Sequence, residues 1–474
     1  MSRPACARPP TALAGASWLS GALLGCALVG CSVGSDYHRP NIALPEQWSE
    51  TAPSTLNSWP SADWWHAFGS NRLDELISEA QRGNDDLAGA IARVREADAQ
   101  ARIAGAPLLP SLDLGATATR ERAKISTLGG PAVFNVFNPE LSASYEIDFW
   151  GKNRALRDAA RAAALASRFD RETVALTVIS SVANTYFQAL ELRDRLEVAH
   201  QNLENGRTIL RGLSLEQSVG TATGLDVAQQ QTAVALLYAA IPPLEQQYHQ
   251  TVYALAVLIG RTPESLGVDS GTLTELTSPA VVEGLPSRLL SRRPDIASAE
   301  QQLVAANADI TVARAALFPS IELTASGGYA STALASLVNP MNRVYAVSGG
   351  LTQPIFHGGA LRGELAYTQA RYTELLTTYH KTVLTAFSNV ESALVAARQS
   401  SEQRQRQRDA VATARRAFQF AQAQMAAGTV NILTVLNTEN ALFSAQDSLV
   451  QIEYAHLQAL VELYTALGGG WQQG

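Results

Sequence analysis

Residues 108–114 read LLPSLDL, and residues 317–323 read LFPSIEL. Two further pairs of short stretches recur at nearly the same separation, namely FWG at 149–151 with FHG at 356–358, and VGT at 219–221 with AGT at 427–429. The three separations are 209, 207 and 208 residues. One period found at three independent places indicates an internal duplication. The chain is therefore predicted to contain two copies of one structural unit.

Apolar and polar residues alternate in two stretches of each copy. Residues 141–149 read LSASYEIDF, 112–119 read LDLGATAT, 321–326 read IELTAS, and 345–352 alternate more loosely. This period of two predicts strands of roughly ten residues with one apolar face, which fit a transmembrane β-barrel. A half-buried sheet in a globular protein gives the same alternation. A lumen accepts charge better than a core does, so the barrel is favoured by the acids on the polar face, which are Asp113, Glu146, Asp148 and Glu322.

Each copy also contains an exceptionally long predicted helix. Residues 152–218 include no proline and only two glycines, and residues 361–427 repeat this length. Such a helix would be about 100 Å long. Two shorter helices are predicted at 72–106 and 226–260, and Pro242 and Pro243 are expected to kink the second. Their combined length is about that of one long helix, so they are expected to lie end to end beside it. The many small and polar residues favour a closed sheath of several helices over an isolated hairpin.

Four strands cannot close a barrel by themselves. An open sheet edge is not tolerated in lipid, and the smallest membrane barrels have about eight strands. An oligomer is therefore predicted, with about eight strands in a dimer or twelve in a trimer.

The first thirty residues have the features of a secretory signal peptide. Arg3 and Arg8 precede a small-residue apolar stretch that ends in LVG at 28–30. The following Cys31 resembles the lipid-accepting cysteine of bacterial lipoproteins, which becomes the first residue of the mature chain. Cys26, after LLG, is a second candidate, and an uncleaved membrane anchor is the alternative. Ser32, which is not an aspartate, favours the outer membrane by resemblance to enteric lipoproteins.

Composition excludes several classes of function. The net charge is -7 and no long basic run is present, so nucleic-acid binding is not expected. The three cysteines all lie at or before the predicted cleavage site, and the seven histidines are scattered. No catalytic motif and no phosphate-binding loop was found. The chain is expected not to be an enzyme and to carry no cofactor or metal beyond the lipid on Cys31.

With these features, the chain resembles the outer membrane efflux proteins, the TolC-like outer-membrane factors of the NodT-like lipoprotein branch. The resemblance is carried by the order and spacing of CSVGSDYHRP at 31–40, WW at 64–65, ARV at 92–94, RRPD at 292–295 and the two Gly-Thr stretches. It implies an α+β membrane protein with an internal duplication. A long α-helical periplasmic barrel would continue into a transmembrane β-barrel that a homotrimer completes with four strands per chain.

The resemblance also implies a function and partners. The protein would be the outer-membrane exit duct of a tripartite efflux pump, which exports small molecules such as drugs passively. A periplasmic adaptor would link it to an inner-membrane pump, and it would be lipid-anchored in the outer membrane of a Gram-negative bacterium, extending into the periplasm. A type I protein-secretion duct is one alternative. The other is a lipid-anchored periplasmic coiled-coil scaffold without a pore, which would need no strands.

The corresponding domain organisation has six segments. A signal peptide at 1–30 and a periplasmic wrapping segment at 31–70 come first. Repeat one at 71–260 is joined to repeat two by an equatorial linker, and a short tail ends the chain. The bounds of these last three segments are 261–290 for the linker, 291–468 for repeat two and 469–474 for the tail.

Two sets of site residues are expected at the far ends of the long helices. Gly220 and Thr221, with Gly428 and Thr429 in copy two, form chain reversals, and the resemblance implies that they contact the adaptor. It also implies a periplasmic gate at the positions of Asp226, Thr434 and Asn437. Three Asp226 carboxylates in a trimer would raise one another's pKa by repulsion. Asp226 is equally suited to capping a helix, and the two roles are compatible. Thr434 and Asn437 would leave the gate less acidic than is usual in the family.

Two groups of aromatic residues have structural explanations. Trp48, Trp59, Trp64 and Trp65 are predicted to pack a wrapped segment against helices rather than to form a ligand cage. Aromatic residues flanking the strand ends either form an interfacial girdle or pack locally, and these are Tyr145, Trp150, Tyr329 and Tyr345.

Overall fold

The structure is a computed structural model that describes residues 33–34, 36–43, 45, 47–49, 59–125, 130–268, 271–279 and 286–472. The predicted signal peptide, Cys26 and Cys31 lie outside the described residues. Repeat one contains α1, α2, β1, β2, α3, α4 and α5. Repeat two contains α6, β3, β4, α7 and α8. None of the described helices combines the length and the hydropathy that a membrane-spanning helix requires.

The bounds of these elements follow the predicted order. The helices are α1 Asn71–Gly83, α2 Asp85–Gly105, α3 Lys152–Ser218, α4 Gly224–Ala239, α5 Ile241–Leu258, α6 Pro294–Ala315, α7 Ala360–Ala426 and α8 Ile432–Ala466. The strands are β1 Ser111–Ile125, β2 Gly130–Glu146, β3 Ser320–Tyr329 and β4 Arg343–Thr352. The linker between the repeats contains short 3-10 turns at Pro263–Ser265, Leu273–Glu275 and Pro286–Ser291.

The strands form one antiparallel sheet in the order β1-β2-β3-β4. The two strands of each repeat are paired, and β2 joins the repeats through Glu140↔Gly328 to Glu146↔Glu322. The predicted alternation is confirmed, but the expected length of about ten residues is wrong for β1 and β2, which have 15 and 17 residues. The prediction that the strand continues to Phe149 is also wrong. It ends at Glu146 because Asp148 turns to accept the N–H groups of Asn153 and Arg154 at 2.9 Å, which caps α3.

The sheet has one polar and one apolar face. Cross-strand partners share a face, so the pairing of Leu114 with Leu141 and of Ala325 with Val347 places these residues on the apolar one. Leu114 is 80% exposed and Val347 is 79% exposed. On the polar face, the hydroxyl groups of Thr324 and Ser348 are hydrogen-bonded at 2.6 Å. Such a large exposed apolar surface must be covered by lipid or protein.

The long helices α3 and α7 each contain 67 residues. The sequence prediction is confirmed to within one residue at each end. The returning helix α8 is continuous over 35 residues. Its counterpart in repeat one is divided into α4 and α5 at Ala240, because Pro242 and Pro243 lie in the first turn of α5. Pro242 has no N–H to donate and its ring would clash with the preceding turn.

The single helix predicted at 72–106 is wrong, because Asn84 separates α1 from α2. Asn84 adopts an extended backbone, with φ -73° and ψ 126°. Its Nδ2 donates to the carbonyl of Leu258 and its Oδ1 accepts the N–H of Leu87, both at 2.9 Å. The break also lets Gly83 meet Gly260, where a Cβ atom on Gly260 would lie 2.1 Å from the Gly83 carbonyl oxygen. The interruption therefore results from tertiary packing.

The chain divides into two compact units. Of the described residues, one unit contains the sheet and comprises those within 33–39, 96–164 and 301–376, and the other comprises those within 40–95, 165–300 and 377–472. In the second unit, the rings of Trp64 and Tyr464 are stacked with their centroids 4.9 Å apart. They belong to a core that also contains Phe68 and Phe187.

The second unit has a further core around Trp48 and Tyr379. Trp59 Nε1 donates to the carbonyl of Leu467 at 3.1 Å, and Trp65 is partly buried against the first core. The predicted packing is confirmed for all four tryptophans of the N-terminal segment.

Candidate functional site

The two turns at the ends of the long helices have the same hydrogen bonds. After α3, the N–H and the hydroxyl of Thr221 donate to the carbonyl of Glu216 at 2.9 and 3.0 Å. After α7, the N–H and the hydroxyl of Thr429 donate to the carbonyl of Gln424 at 2.9 and 3.0 Å. This pattern satisfies the otherwise free carbonyls of a helix end. The predicted chain reversals are confirmed, and contact with an adaptor stays a prediction.

The glycines of these turns are required by backbone conformation. Gly220 has φ 81° and Gly428 has φ 72°, values that L-residues rarely adopt. Among the described residues, no atom beyond the glycine itself and its two neighbours in the chain lies within 4 Å of the position of a Cβ atom on either residue. A side chain at Gly220 or Gly428 would therefore have room. Only the positive φ disfavours other residues at these two positions.

Asp226 is the third residue of α4 and forms a capping box with Thr223. Its Oδ2 atom accepts the N–H and the hydroxyl of Thr223 at 2.8 and 2.6 Å, and its own N–H donates to that hydroxyl at 3.2 Å. The hydroxyl and then the N–H of Thr223 lower the pKa of Asp226 below its usual value. The capping role is confirmed. Repulsion within a ring would act in the opposite direction and requires three chains.

The start of α8 in repeat two is capped in a similar way to the start of α4, but different residue types occupy the two positions. Asn431 caps α8, and its Oδ1 atom accepts the N–H and the hydroxyl of Thr434, each at 3.3 Å. An uncharged residue thus occupies the position of Asp226. Within the described part of the chain, no hydrogen bond joins Asp226 to Thr434 or Asn437.

Asn437 lies beside a groove between α4 and α8. The groove has a volume of about 430 Å³ and is lined mainly by apolar side chains. Leu236 and Leu433 on its rim are 68% and 50% exposed. Asn437 and Asn440 supply polar groups on the α8 side. The structure therefore brings Asn437 to a surface groove, while Asp226 and Thr434 lie at helix starts.

A buried acid near this groove was missed by the sequence analysis. Glu439 is 3% exposed, and burial raises its pKa to about 7. Among the described residues, its Oε1 atom has no hydrogen-bond partner. Leu436 and Leu442, three residues to either side, are both buried. Helical periodicity therefore carried the signal, since positions three apart share a face of a helix.

A second buried acid joins α3 to the linker between the repeats. Asp194 Oδ2 accepts the N–H of Leu273 at 2.9 Å. Burial raises the pKa of Asp194 to about 6 although this hydrogen bond opposes the rise. The described residues contain no cluster of three or more histidine, cysteine or acidic side chains that could hold a metal ion.

Comparison with known proteins identifies the family that shares this architecture. The model of the outer membrane efflux protein family matches residues 76–261 and 285–469. The pyoverdine export outer membrane protein OpmQ of Pseudomonas putida is 42% identical over 91% of this chain and 93% of its own. The cation efflux system protein CusC of Escherichia coli K12 is 32% identical over 94% of this chain and 97% of its own.

Solved structures give the same result. The outer-membrane channel OprN has a TM-score of 0.89 at 27% identity, covering 94% of this chain and 100% of that one. The Campylobacter jejuni CmeC outer membrane channel has a TM-score of 0.87 at 26% identity, covering 94% and 96% of the two chains. The family model, the relatives and the solved structures all match over most of this chain. The chain therefore belongs to the outer membrane efflux protein family.

Proposed function

We propose that this outer membrane efflux channel is the passive exit duct of a tripartite pump for small molecules, including drugs. The observation that carries the proposal is the connection between its two kinds of structure. Helices of about 100 Å, long enough to cross a periplasmic space, begin directly after strands that have one apolar face. A scaffold without a pore has no use for these strands.

A homotrimer is proposed as the complete channel. In the described chain, β1 and β4 are the two edges of the sheet. Unpaired edges are not tolerated in lipid, so each edge needs a neighbouring chain. Three copies would supply about twelve strands, within the range of known membrane barrels.

Cys31 is proposed as the lipid-bearing residue. Arg314 Nη1, near the end of α6, donates to the carbonyl of Val33 at 2.8 Å. Gly34 packs against Thr311 of the same helix. Val33 and Gly34, two and three residues after Cys31 in the sequence, therefore lie near the point where α6 leads into β3. This position suits an anchor in the same membrane as the strands.

We further propose that the Gly-Thr turns contact a periplasmic adaptor. Thr221 and Thr429 are exposed, and their backbone and hydroxyl hydrogen bonds hold the turns in one conformation. A preformed surface loses little conformational entropy on binding. Asp226, Thr434 and Asn437 are proposed to line the periplasmic gate.

The cargo is proposed to be set by the pump rather than by the duct. Relatives of this chain are named for pyoverdine export, cation efflux and toluene efflux. These cargoes share little chemistry. A duct that does not recognise one ligand would account for a family that serves all of them.

The decisive experiment is photo-crosslinking in cells from a photoreactive residue at Thr429, with mass spectrometry of the captured proteins. Capture of a periplasmic adaptor supports the duct. A photoreactive residue at the exposed position Gln403 on α7 is the control and should not capture the same protein with equal yield. Capture of this chain alone, or of peptidoglycan-binding proteins, would favour the scaffold instead.

A further inference from the structure

The apolar face of the sheet is free of charge over most of its height. On β1 it is formed by Leu112, Leu114, Ala116 and Ala118, whose partners on β2 are Ala143, Leu141, Pro139 and Phe137. The same face continues across β3 and β4 with Leu323, Val347 and Leu351. The acids of the strands, among them Asp113, Glu140 and Glu322, alternate onto the other face.

Three arginines end this apolar face at the hairpin end of the sheet. Arg120 and Arg122 follow Ala118 at alternate positions of β1 and therefore share its face. Arg343 begins β4, is paired with Tyr329 and precedes Tyr345 on that face. All three arginines are exposed. Within the described residues, none of their guanidinium groups makes an ion pair or a hydrogen bond.

The length of the apolar stretches places these arginines at a membrane surface. A strand needs about 9–11 residues to cross a bilayer. On β1, Arg120 follows nine residues counted from Ser111, and β4 has ten residues of which Arg343 is the first. The other ends of the strands lead to helices. Because the proposed function puts these helices in the periplasm, the three arginines face the outer leaflet, and this step rests on that function.

The chemistry of this position is specific. A cation on the lipid-facing side of a strand is unfavourable in the hydrocarbon region and becomes acceptable near the headgroups. The guanidinium group binds phosphate through two parallel hydrogen bonds. No carboxylate lies on the same face of the described strands, so neutralisation must come from outside the chain. Tyr329 and Phe137 supply the aromatic side chains that favour this interface.

We propose that Arg120, Arg122 and Arg343 form a binding surface for phosphate-bearing lipid headgroups of the outer leaflet. The lipid tails cover the apolar residues below, and the phosphates pair with the three arginines. The surface would hold a shell of anionic lipid around the channel. It lies outside the pore and takes no part in transport of cargo.

The test measures binding of diphosphoryl lipid A to the full-length protein in detergent by native mass spectrometry. The variant R120Q/R122Q/R343Q is expected to bind it about a hundredfold more weakly, since each of the three cations near an anionic surface contributes roughly fivefold. The matched control is R161Q/R362Q/R415Q, which removes three exposed arginines from α3 and α7. The control should bind as the natural chain does. The charge-retaining variant R120K/R122K/R343K should bind more tightly than the glutamine variant and more weakly than the natural chain, because lysine keeps the charge without the paired hydrogen bonds.

Three results would overturn the proposal. They are equal binding by the glutamine variant, an equal loss in the helix control, and equal binding of lipid A that lacks its phosphates. A fourth such result would be competition: if millimolar inorganic phosphate removes bound lipid A, the arginines form an anion site without lipid specificity. Channel conductance in planar bilayers is measured in parallel. A natural chain that binds lipid A but does not conduct would reject the duct and leave the lipid surface standing.

Discussion

The Oδ2 atom of Asp194, in the middle of α3, accepts the backbone N–H of Leu273 at 2.9 Å and so joins the linker between the repeats to the long helix. Burial raises the pKa of Asp194 from 3.8 to about 6. The stability that this group contributes is therefore fully present below about pH 3.8 and is lost as the pH rises through about 6. At neutral pH the buried charge is a net cost.

Asp194→Asn keeps an oxygen acceptor for Leu273 and removes that charge. We expect it to raise the free energy of unfolding at pH 8 by about 1–3 kcal/mol and to change it little at pH 3.5. Denaturant midpoints of the detergent-solubilised protein at the two pH values measure this. Glu197→Gln, an exposed position on α3, is the control. An equal gain in the free energy of unfolding at both pH values would show that the effect does not come from ionisation of Asp194.

Asp226→Ala is expected to raise single-channel conductance in planar bilayers, because it removes a carboxylate from the proposed gate. The pKa of Asp226 is lowered by Thr223, so the charge present at neutral pH persists until the pH falls below 3.8. Thr223→Val disrupts the capping box and keeps the charge. If both variants raise conductance equally, Asp226 acts only as a cap.

Gly468→Ala is expected to be severely destabilising. Gly468 has φ 90°, and a Cβ atom there would lie 2.0 Å from the carbonyl oxygen of Arg292. Backbone cannot yield as a side-chain tip can, so we expect little folded protein in the membrane fraction. Gly212→Ala, in α3 with open space around it, is the control and should be neutral or stabilising by up to about 1 kcal/mol. Normal amounts of the Gly468 variant would show that the two segments can separate.

Gly428→Ala is expected to loosen the second tip turn, because alanine at positive φ costs about 1–2 kcal/mol. Faster hydrogen exchange of the Thr429 amide, which donates to Gln424, reports this opening. Gly428→Asn should exchange more slowly than the alanine variant, since asparagine tolerates this conformation. Equal exchange in all three proteins would show that the turn does not depend on φ at this position.

Cys31→Ala is expected to abolish labelling by radioactive palmitate. Cys26→Ala should leave the labelling unchanged, because a cut before Cys31 removes Cys26. Persistent labelling of the Cys31 variant together with loss in the Cys26 variant would move the anchor to Cys26. No labelling of the natural chain would point to an uncleaved membrane anchor.

The elements that sequence predicts well are those that local rules determine. Residues 152–218 carry no helix breaker, and the Gly-Thr pair that follows ends the helix, so α3 was predicted with its true bounds. Alternation likewise identified the strands. The break at Asn84 was missed because it depends on the contact of Gly83 with Gly260, which is remote in sequence.

The candidate site shows the same division. The turns at Gly220 and Gly428 and the cap at Asp226 follow from neighbouring residues, and they are where the sequence puts them. The burial of Glu439 and the bond from Leu273 to Asp194 require several helices to assemble. Residue spacing places Glu439 on the face of Leu436 and Leu442, but it does not show that this face is covered or that Leu273 reaches Asp194. The roles of the tips and of the gate involve further chains, beyond any property of one chain.

The equal length of α3 and α7 also limits how this protein can evolve. One residue inserted into a helix advances its end by about 1.5 Å and rotates it by about 100°. An insertion in α3 alone would put its Gly-Thr turn out of phase with that of α7. A change in the length of one helix is therefore tolerated only when the other changes equally, and the two halves of the gene must gain or lose codons together.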